Sequence, residues 1–150
     1  MNTKRIGNIG EAKVLTEFVK WGIPIYIQFG DTERADYIAD FNGKLNKIQV
    51  KTAEKLSKDK GSFTVHLYSL TTKNGKQVQT SYSKEEVDYF AIYCIESDTL
   101  ILYPNNESVE TLCIRLRSTK NNQTKGTHYA LDYTFDKWFD RDVSPLPDKE

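Results

Sequence analysis

Apolar residues recur with helical spacing near the start of the chain. The stripe comprises Ile9, Ala12, Leu15, Phe18 and Val19. This spacing predicts an amphipathic helix over 6–21. Gly22 and Pro24 follow directly, and these residue types end a helix and prevent it from resuming. The sequence therefore predicts one N-terminal helix whose apolar face packs on the rest of the chain.

After this helix, short runs are either apolar throughout or alternate between apolar and polar residues, as β-strands do. The predicted strands are 25–29, two arms of a hairpin within 35–52, 62–70, 90–95, 99–103 and 111–117. A capping-box pattern over 83–86 predicts a short helical turn. The aromatic-rich segment 129–139 is expected to pack onto the core. This order predicts a mixed α+β (α/β) domain with a central mixed β-sheet flanked by helices.

The pair Asn42-Gly43 marks the clearest hairpin in the chain. Both central residues of a type I′ turn have positive φ, which Asn and Gly tolerate best. If these two residues form the loop, Tyr37 faces Ile48 and Asp36 faces Gln49. The turn therefore predicts the register of both strands.

This register places three polar side chains on one face of the hairpin. Opposed residues, and residues two apart on a strand, share a face, so Asp36, Gln49 and Lys51 project together. The opposite, apolar face carries Ala35, Tyr37, Ala39, Ile48 and Val50. Carboxylate and amide oxygens can bind a hard cation such as Mg²⁺, and an ammonium can sit beside water or phosphate. An ordinary hairpin with a solvent-exposed Asp–Lys pair has the same spacing, and this alternative stays open.

The hairpin resembles the core of the PD-(D/E)XK nuclease superfamily. That pattern has an Asp on one strand, then an acidic residue, any residue and a Lys on the next. Here Asp36 is followed by Gln49-Val50-Lys51. The superfamily commonly carries a Glu on a preceding helix, and Glu11 matches it, although a carboxylate near a helix start can also simply stabilise the helix dipole. Ala35 replaces the Pro of the pattern, and Gln49 replaces the acidic residue, which removes one negative charge.

The resemblance implies a restriction-endonuclease-like core in a single domain over 1–150. It implies a metal-dependent, site-specific endonuclease that hydrolyses phosphodiester bonds in double-stranded DNA. Within the superfamily, the chain is most similar to the small homing endonucleases encoded by bacterial group I introns. The implied catalytic residues are Glu11, Asp36, Gln49 and Lys51. The implied ligands of Mg²⁺, for which Mn²⁺ can substitute, are Glu11, Asp36, Gln49 and the Val50 carbonyl. Cutting both strands requires two sites, so a homodimer is the smallest expected assembly, and a tetramer would suit a long target.

Two polar segments are candidates for reading DNA. One surrounds Asn74-Gly75, which predicts a second, exposed hairpin, and the other is the amide-rich stretch 115–126. Amide side chains pair with adenine, and Lys and Arg contact phosphate or guanine. The candidate residues are Lys73, Asn74, Lys76, Arg115, Arg117, Lys120, Asn121, Asn122, Gln123 and Lys125. Ordinary solvated loops would have the same composition, and which segment reads bases stays open.

Composition narrows the class of protein only slightly. The 150 residues are 38% hydrophobic and 28% charged, which is typical of one folded domain. The net charge of zero argues mildly against nucleic acid, unless acidic and basic residues are segregated. No apolar run approaches the roughly 20 residues of a membrane helix. The first residues lack the apolar core of a signal peptide, so we expect a cytoplasmic protein. Cys94 and Cys113 lie within apolar runs, and we expect them to be buried free thiols.

Three alternatives to the endonuclease stay open at this point. A structure-selective Holliday junction resolvase would use the same residues. A DNA-binding module whose nuclease site has decayed through Gln49 would bind without cutting. A fold with no role in nucleic-acid chemistry would do neither.

Overall fold

The computed structural model describes residues 1–117 and 126–139. A long helix, α1 (Thr3–Lys20), opens the fold, and a short one, α2 (Phe135–Trp138), follows a 3-10 turn at Ala130–Asp132. The strands of the described residues are β1 (Ile25–Ile27), β2 (Tyr37–Phe41), β3 (Lys44–Ala53), β4 (Ser62–His66), β5 (Tyr68–Lys73), β6 (Lys76–Ser81), β7 (Tyr89–Cys94), β8 (Thr99–Pro104), β9 (Thr111–Arg115) and β10 (His128–Tyr129).

Within the described residues these strands form three sheets. The central sheet has the order β1-β2-β3-β7-β8, with β3 and β7 parallel and the other neighbours antiparallel. The second sheet has the order β10-β9-β4. Strands β5 and β6 pair only with each other, and we call this hairpin of residues 68–81 the ribbon. The predicted mixed α+β fold with a central mixed sheet is confirmed.

One face of the central sheet is covered by α1 and the segment around α2. This first core comprises Val14, Phe18, Tyr37, Ala39, Phe41, Ile48, Val50, Ala91, Leu102, Phe135 and Phe139. The ring of Phe18 lies 4.9 Å from that of Phe135, and the ring of Phe41 lies 5.1 Å from that of Phe139, between centroids. The prediction that 129–139 packs onto the core is therefore confirmed.

The other face of the central sheet is covered by the second sheet. The second core includes Phe63, Val65, Phe90, Ile92, Cys94, Ile101, Tyr103, Leu112 and Ile114. Along β7, Phe90 and Ile92 point into this core while Ala91 points into the first, as the alternation of a strand requires. Because both faces are buried, β7 is apolar along its length.

Helix α1 begins earlier than predicted, because Asn2 caps it. The Asn2 side chain accepts the Arg5 N–H at 2.8 Å. At the other end Gly22 has a φ of 70°, and the Ile23 N–H donates to the Phe18 carbonyl at 3.0 Å. This is a Schellman motif, which glycine favours because it adopts positive φ without strain.

The buried face of α1 differs from the predicted stripe. Gly10, Val14 and Phe18 are buried, whereas the predicted Ala12 and Val19 are exposed. The apolar residues cover a wide arc of the helix surface, which is compatible with two orientations of α1 about its axis. Packing against β3 selects one of them. The consequence is that Glu11 lies in the third turn beside the buried Gly10. A helix dipole acts within the first turn, so it does not account for this carboxylate.

Both Asn-Gly hairpins form as predicted. Asn42 and Gly43 have φ values of 54° and 71°, and Asn74 and Gly75 have 52° and 76°. The register pairs Tyr37 with Ile48 in the first hairpin. The two left-handed residues of each turn therefore determine the pairing, as a type I′ geometry requires.

Two local predictions are wrong. The strand predicted over 62–70 breaks at Leu67, whose N–H donates to the Glu110 carbonyl at 2.8 Å, and the chain leaves the second sheet to begin the ribbon. Cys94 is a buried free thiol as expected, but Cys113 is exposed because it alternates with the buried residues of β9. Among the described residues, no helix is long and apolar enough to cross a membrane.

Candidate active site

Asp36 lies at the point where β2 begins to pair with β3. Its N–H donates to the Ile48 carbonyl at 2.8 Å, and its Oδ2 accepts the Val50 N–H at 2.8 Å. The ladder itself ends at Tyr37 and Ile48, one pair before the predicted Asp36–Gln49 pair. The Asp36 carboxylate is therefore fixed on the backbone of β3.

Gln49 presents a buried oxygen. Its Nε2 lies 3.5 Å from the Val50 carbonyl, and its Oε1 is buried with no hydrogen-bond partner among residues 1–117 and 126–139. An unsatisfied buried acceptor costs about 1–3 kcal/mol. Asp36 and Gln49 therefore both contact the peptide groups of Val50, Asp36 through the Val50 N–H and Gln49 through the Val50 carbonyl. This arrangement suits a cation that accepts oxygen ligands.

Two contacts bring Glu11 to the same place from the other side of the sheet. The Tyr37 hydroxyl donates to the Glu11 carbonyl at 2.9 Å. Gly10 packs directly on Thr52, since a Cβ at Gly10 would lie 1.8 Å from Thr52 Oγ1. This close approach of α1 and β3 needs a glycine, and it places the next residue of the helix, Glu11, beside Asp36.

The environment of Asp36 favours its protonated form. Burial, together with the charge of the neighbouring Glu11 and a hydrogen bond to it, raises the pKa of Asp36 to about 7. The Val50 N–H and the Lys51 charge act in the opposite direction and lower the pKa. A bound divalent cation would offset the repulsion between the two carboxylates. In the described residues no cluster of three or more His, Cys, Asp or Glu is arranged for a metal.

Lys51 lies on the same face of β3 as Gln49. Its Nζ donates to the Tyr68 carbonyl at 3.0 Å and to the Tyr82 hydroxyl at 3.3 Å. Burial lowers the pKa of Lys51 to about 8, with Asp36 acting against this shift and Arg34 adding to it. A groove of about 360 Å³ opens beside Lys51, between β3, β4 and β5. The structure thus brings all four predicted catalytic residues together around the start of β2 and the middle of β3.

Two further residues contact this cluster and are not among the predicted catalytic residues, Arg34 and Tyr82. The Arg34 guanidinium carbon lies 3.8 Å from the centroid of the Tyr82 ring, and Lys51 Nζ lies 4.9 Å from it. The sequence indicates only weakly that Arg34 lies near the cluster, because Arg34 precedes Asp36 by two residues. It gives no such indication for Tyr82, since Tyr82 is 31 residues from Lys51 along the chain.

The candidate DNA-binding residues separate into three groups. Lys73, Asn74 and Lys76 lie exposed at the tip of the ribbon. Arg115 and Arg117 lie at the end of β9. Arg117 Nη2 donates to the carbonyl of Asp59 at 2.5 Å, so Arg117 contacts the loop after β3 and not the cluster around Asp36. The predicted Lys120, Asn121, Asn122, Gln123 and Lys125 lie outside the described residues.

The raised pKa of Asp36 predicts a pH-dependent stability of the metal-free protein. Between pH about 4 and 7 an unfolded Asp ionises while the folded Asp36 retains its proton, so the folded state loses stability as pH rises through this range. Asp36→Asn keeps an acceptor for the Val50 N–H and removes this penalty. We expect the variant to gain about 2–4 kcal/mol of unfolding free energy above pH 7 and little near pH 4.

Urea unfolding in EDTA between pH 4 and 8.5 measures this gain. Asp40→Asn, on the same strand, controls for the general effect of removing a carboxylate. A gain that does not grow with pH, or that Asp40→Asn reproduces, would contradict the assignment.

The fold agrees with comparisons to known proteins. A model of the PD-(D/E)XK endonuclease family matches residues 1–136, and the chain belongs to this family. The family resemblance inferred from the hairpin is therefore confirmed, and the chain is a nuclease by class, with DNA as the substrate that the family implies. Nucleases of this family generally use divalent metal ions.

Among solved structures, the chain is similar to the bacterial homing endonuclease I-Ssp6803I. The two share 23% sequence identity with a TM-score of 0.70, over 89% of this chain and 88% of the other. At this identity the likeness shows a shared fold. No curated protein matches the chain.

Proposed function

We propose that the chain is a Mg²⁺-dependent, site-specific endonuclease that hydrolyses phosphodiester bonds in double-stranded DNA. The observation that carries this proposal is the buried Gln49 Oε1, which has no hydrogen-bond partner in the described residues and belongs to a side chain that, like that of Asp36, contacts the Val50 peptide groups. A decayed site would be expected to satisfy or expose this oxygen, because an orphaned acceptor destabilises the fold and without a cation nothing offsets the cost.

The oxygen atoms around Val50 fit a hard cation. Asp36, Glu11 and Gln49 would hold it, and the Val50 carbonyl is a further candidate ligand. A bound Mg²⁺ lowers the pKa of a water molecule and offsets charge on the phosphate. With Gln49 instead of an acid, the protein ligands carry one negative charge fewer, so they repel one another less.

Lys51 is suited to act on the attacking water and on the phosphate. Its pKa of about 8 leaves part of the population neutral near physiological pH, and the neutral amine can accept a proton from water. The charged form can stabilise the additional negative charge of the phosphate in the transition state. The groove beside Lys51 gives access to a phosphate of the DNA backbone.

The ribbon is the best-placed described element for contact with DNA. A two-stranded ribbon fits the major groove of B-DNA. Lys73 and Lys76 are directly opposed at its tip, on either side of Asn74-Gly75, where they can contact phosphates while Asn74 reaches a base edge. Basic residues at the tip and carboxylates at the cluster are separated in space, so a net charge of zero is compatible with DNA binding.

We further propose homing, in the cytoplasm, as the biological activity. The solved relative in fold is a homing endonuclease. Because each subunit holds one cluster, cutting both strands at a defined place requires two subunits, so the proposed assembly is at least a homodimer, with a tetramer for a long target.

The test is cleavage by the wild-type protein of a pooled library of linear duplexes and of a four-way junction, each with Mg²⁺, with Mn²⁺ or with EDTA. We expect discrete, metal-dependent cuts in a small subset of duplexes. Cleavage of the junction alone would instead identify a resolvase. Metal-independent binding without cutting would identify a module with a decayed site, and neither binding nor cutting would contradict a role with DNA.

A further inference from the structure

Lys51 is held by the base of the ribbon. Its Nζ donates to the carbonyl of Tyr68, the first residue of β5, and to the hydroxyl of Tyr82, the residue after β6. Tyr82 is 6% exposed, so its ring has little freedom to move. The position of Lys51 therefore depends on two residues where the ribbon joins the domain.

Arg34 also contacts the ring of Tyr82, and hydrogen bonds to other residues fix Arg34 in place. Its guanidinium stacks on Tyr82 at 3.8 Å and is anchored to the base of the ribbon and to the turn after it. The anchors are Ser69 Oγ at 2.6 Å, the Ser81 carbonyl at 2.5 Å, the Thr80 carbonyl at 3.1 Å and Glu86 Oε1 at 3.2 Å. These bonds use the planar fork of an Arg, which a Lys could not reproduce.

Two cations next to one ring repel each other, and the molecule contains specific groups that offset this repulsion. The face of an aromatic ring attracts cations. Glu86 supplies a carboxylate to Arg34, and it is itself fixed by the Ser83 N–H at 3.1 Å. A purely structural role for Tyr82 would need no second cation. Because Tyr68 pairs with Ser81, Lys51 and Arg34 both contact the first residue pair of the ribbon, and Arg34 also contacts the next pair, Ser69 and Thr80.

We propose that Tyr82, clamped by Arg34, is a positioning residue that sets the location of the Lys51 ammonium relative to Asp36 and links it to the base of the ribbon. This inference rests on the proposed function, in which Lys51 acts on water and phosphate. The side chain of Tyr82 acts through Lys51 and needs no contact with DNA. The ribbon would then contact DNA at its tip, while its base holds Lys51, the residue proposed to act at the phosphate that is cleaved.

The test is a comparison of Tyr82→Phe with Tyr93→Phe. Tyr82→Phe keeps the ring and removes the hydroxyl that binds Lys51. Tyr93 is matched, because it is 7% exposed and its hydroxyl donates to Asp98 at 2.6 Å, outside the cluster. We expect Tyr82→Phe to lower the single-turnover cleavage rate about tenfold with an unchanged dissociation constant for DNA, and Tyr93→Phe to leave the rate unchanged.

A double-mutant cycle separates positioning from general destabilisation. In a Lys51→Ala background, Tyr82→Phe should lower the rate no further, because the residue through which it acts is gone. Arg34→Lys, which keeps the charge but loses the stacked fork, should behave like Tyr82→Phe. A wild-type rate for Tyr82→Phe, an equal loss in Tyr93→Phe, or an undiminished effect in the Lys51→Ala background would each overturn the proposal.

A second measurement does not depend on cleavage. Crystal structures of the wild type and Tyr82→Phe should show the Lys51 ammonium displaced in the variant, with Tyr68 and the ribbon base retained. An unmoved ammonium overturns the positioning role. If the ammonium moves but the wild type cuts no DNA, the positioning holds and the proposed function fails, so the two failures are distinguishable.

Discussion

Asp36→Asn is expected to abolish cleavage of DNA while the protein remains folded. Asn keeps an oxygen for the Val50 N–H, which Asp36 accepts at 2.8 Å, so the local backbone is retained. It removes the negative charge at the centre of the oxygen cluster. A divalent cation supplies several kcal/mol of stabilisation to a phosphoryl transition state, so weakening its binding should lower the rate by about 10³-fold or more.

Single-turnover cleavage in Mg²⁺ measures this loss against Asp40→Asn, which makes the same chemical change on the same strand and should cut normally. Lys51→Ala is the second comparison and should also be strongly impaired. Because the metal-free Asp36→Asn protein is expected to be more stable than the wild type, unfolding could not explain its inactivity. Cleavage at the wild-type rate by Asp36→Asn would refute the site.

Gly10→Ala is expected to push α1 away from β3. The added Cβ would lie 1.8 Å from Thr52 Oγ1 and 3.0 Å from Thr52 Cβ, and rotation of the Thr52 side chain does not move its Cβ. Overpacking of this kind costs about 1–3 kcal/mol, which exceeds the gain in helix propensity of about 1 kcal/mol from replacing Gly. The same shift moves Glu11 from Asp36, so cleavage should fall together with the midpoint of urea unfolding.

Gly7→Ala is the matched control for this prediction. It lies in the same helix with nothing within 4 Å of the added Cβ, so it should stabilise the protein slightly and leave cleavage intact. Thr52→Ala removes the clashing Oγ1 and leaves its own Cβ 3.0 Å away, so combining it with Gly10→Ala should restore part of both losses. Equal stability of the Gly10→Ala and Gly7→Ala proteins would show that the helix can shift without cost.

The hairpin that carries the site could be predicted because its information is local. A type I′ turn needs two residues with positive φ, and Asn42-Gly43 satisfies this need within two positions. Once the turn is placed, strand alternation determines which side chains share a face. Gln49 and Lys51 are indeed on the face opposite Ile48 and Val50, because this geometry does not depend on the rest of the fold.

The orientation of helix α1 about its axis could not be predicted from local sequence. Its apolar residues predicted a helix correctly, but the predicted face included Ala12 and Val19, which are exposed. The rotation of the helix depends on the fit of Gly10 against Thr52, two residues from distant parts of the chain. Hydrophobicity alone gives Gly10 little weight, although a side chain at this position would overlap Thr52.

By itself the sequence determined the N-terminal helix, both Asn-Gly hairpins and the placement of Gln49 and Lys51 on one polar face of β3, since each depends on neighbours within a few residues. Tertiary structure decided the parallel pairing of β3 with β7, the burial of Gln49 Oε1 and the stacking of Arg34 on Tyr82. These features depend on contacts between residues far apart in the chain. Burial and charge proximity, which shift the pKa values of Asp36 and Lys51, exist only after those contacts form.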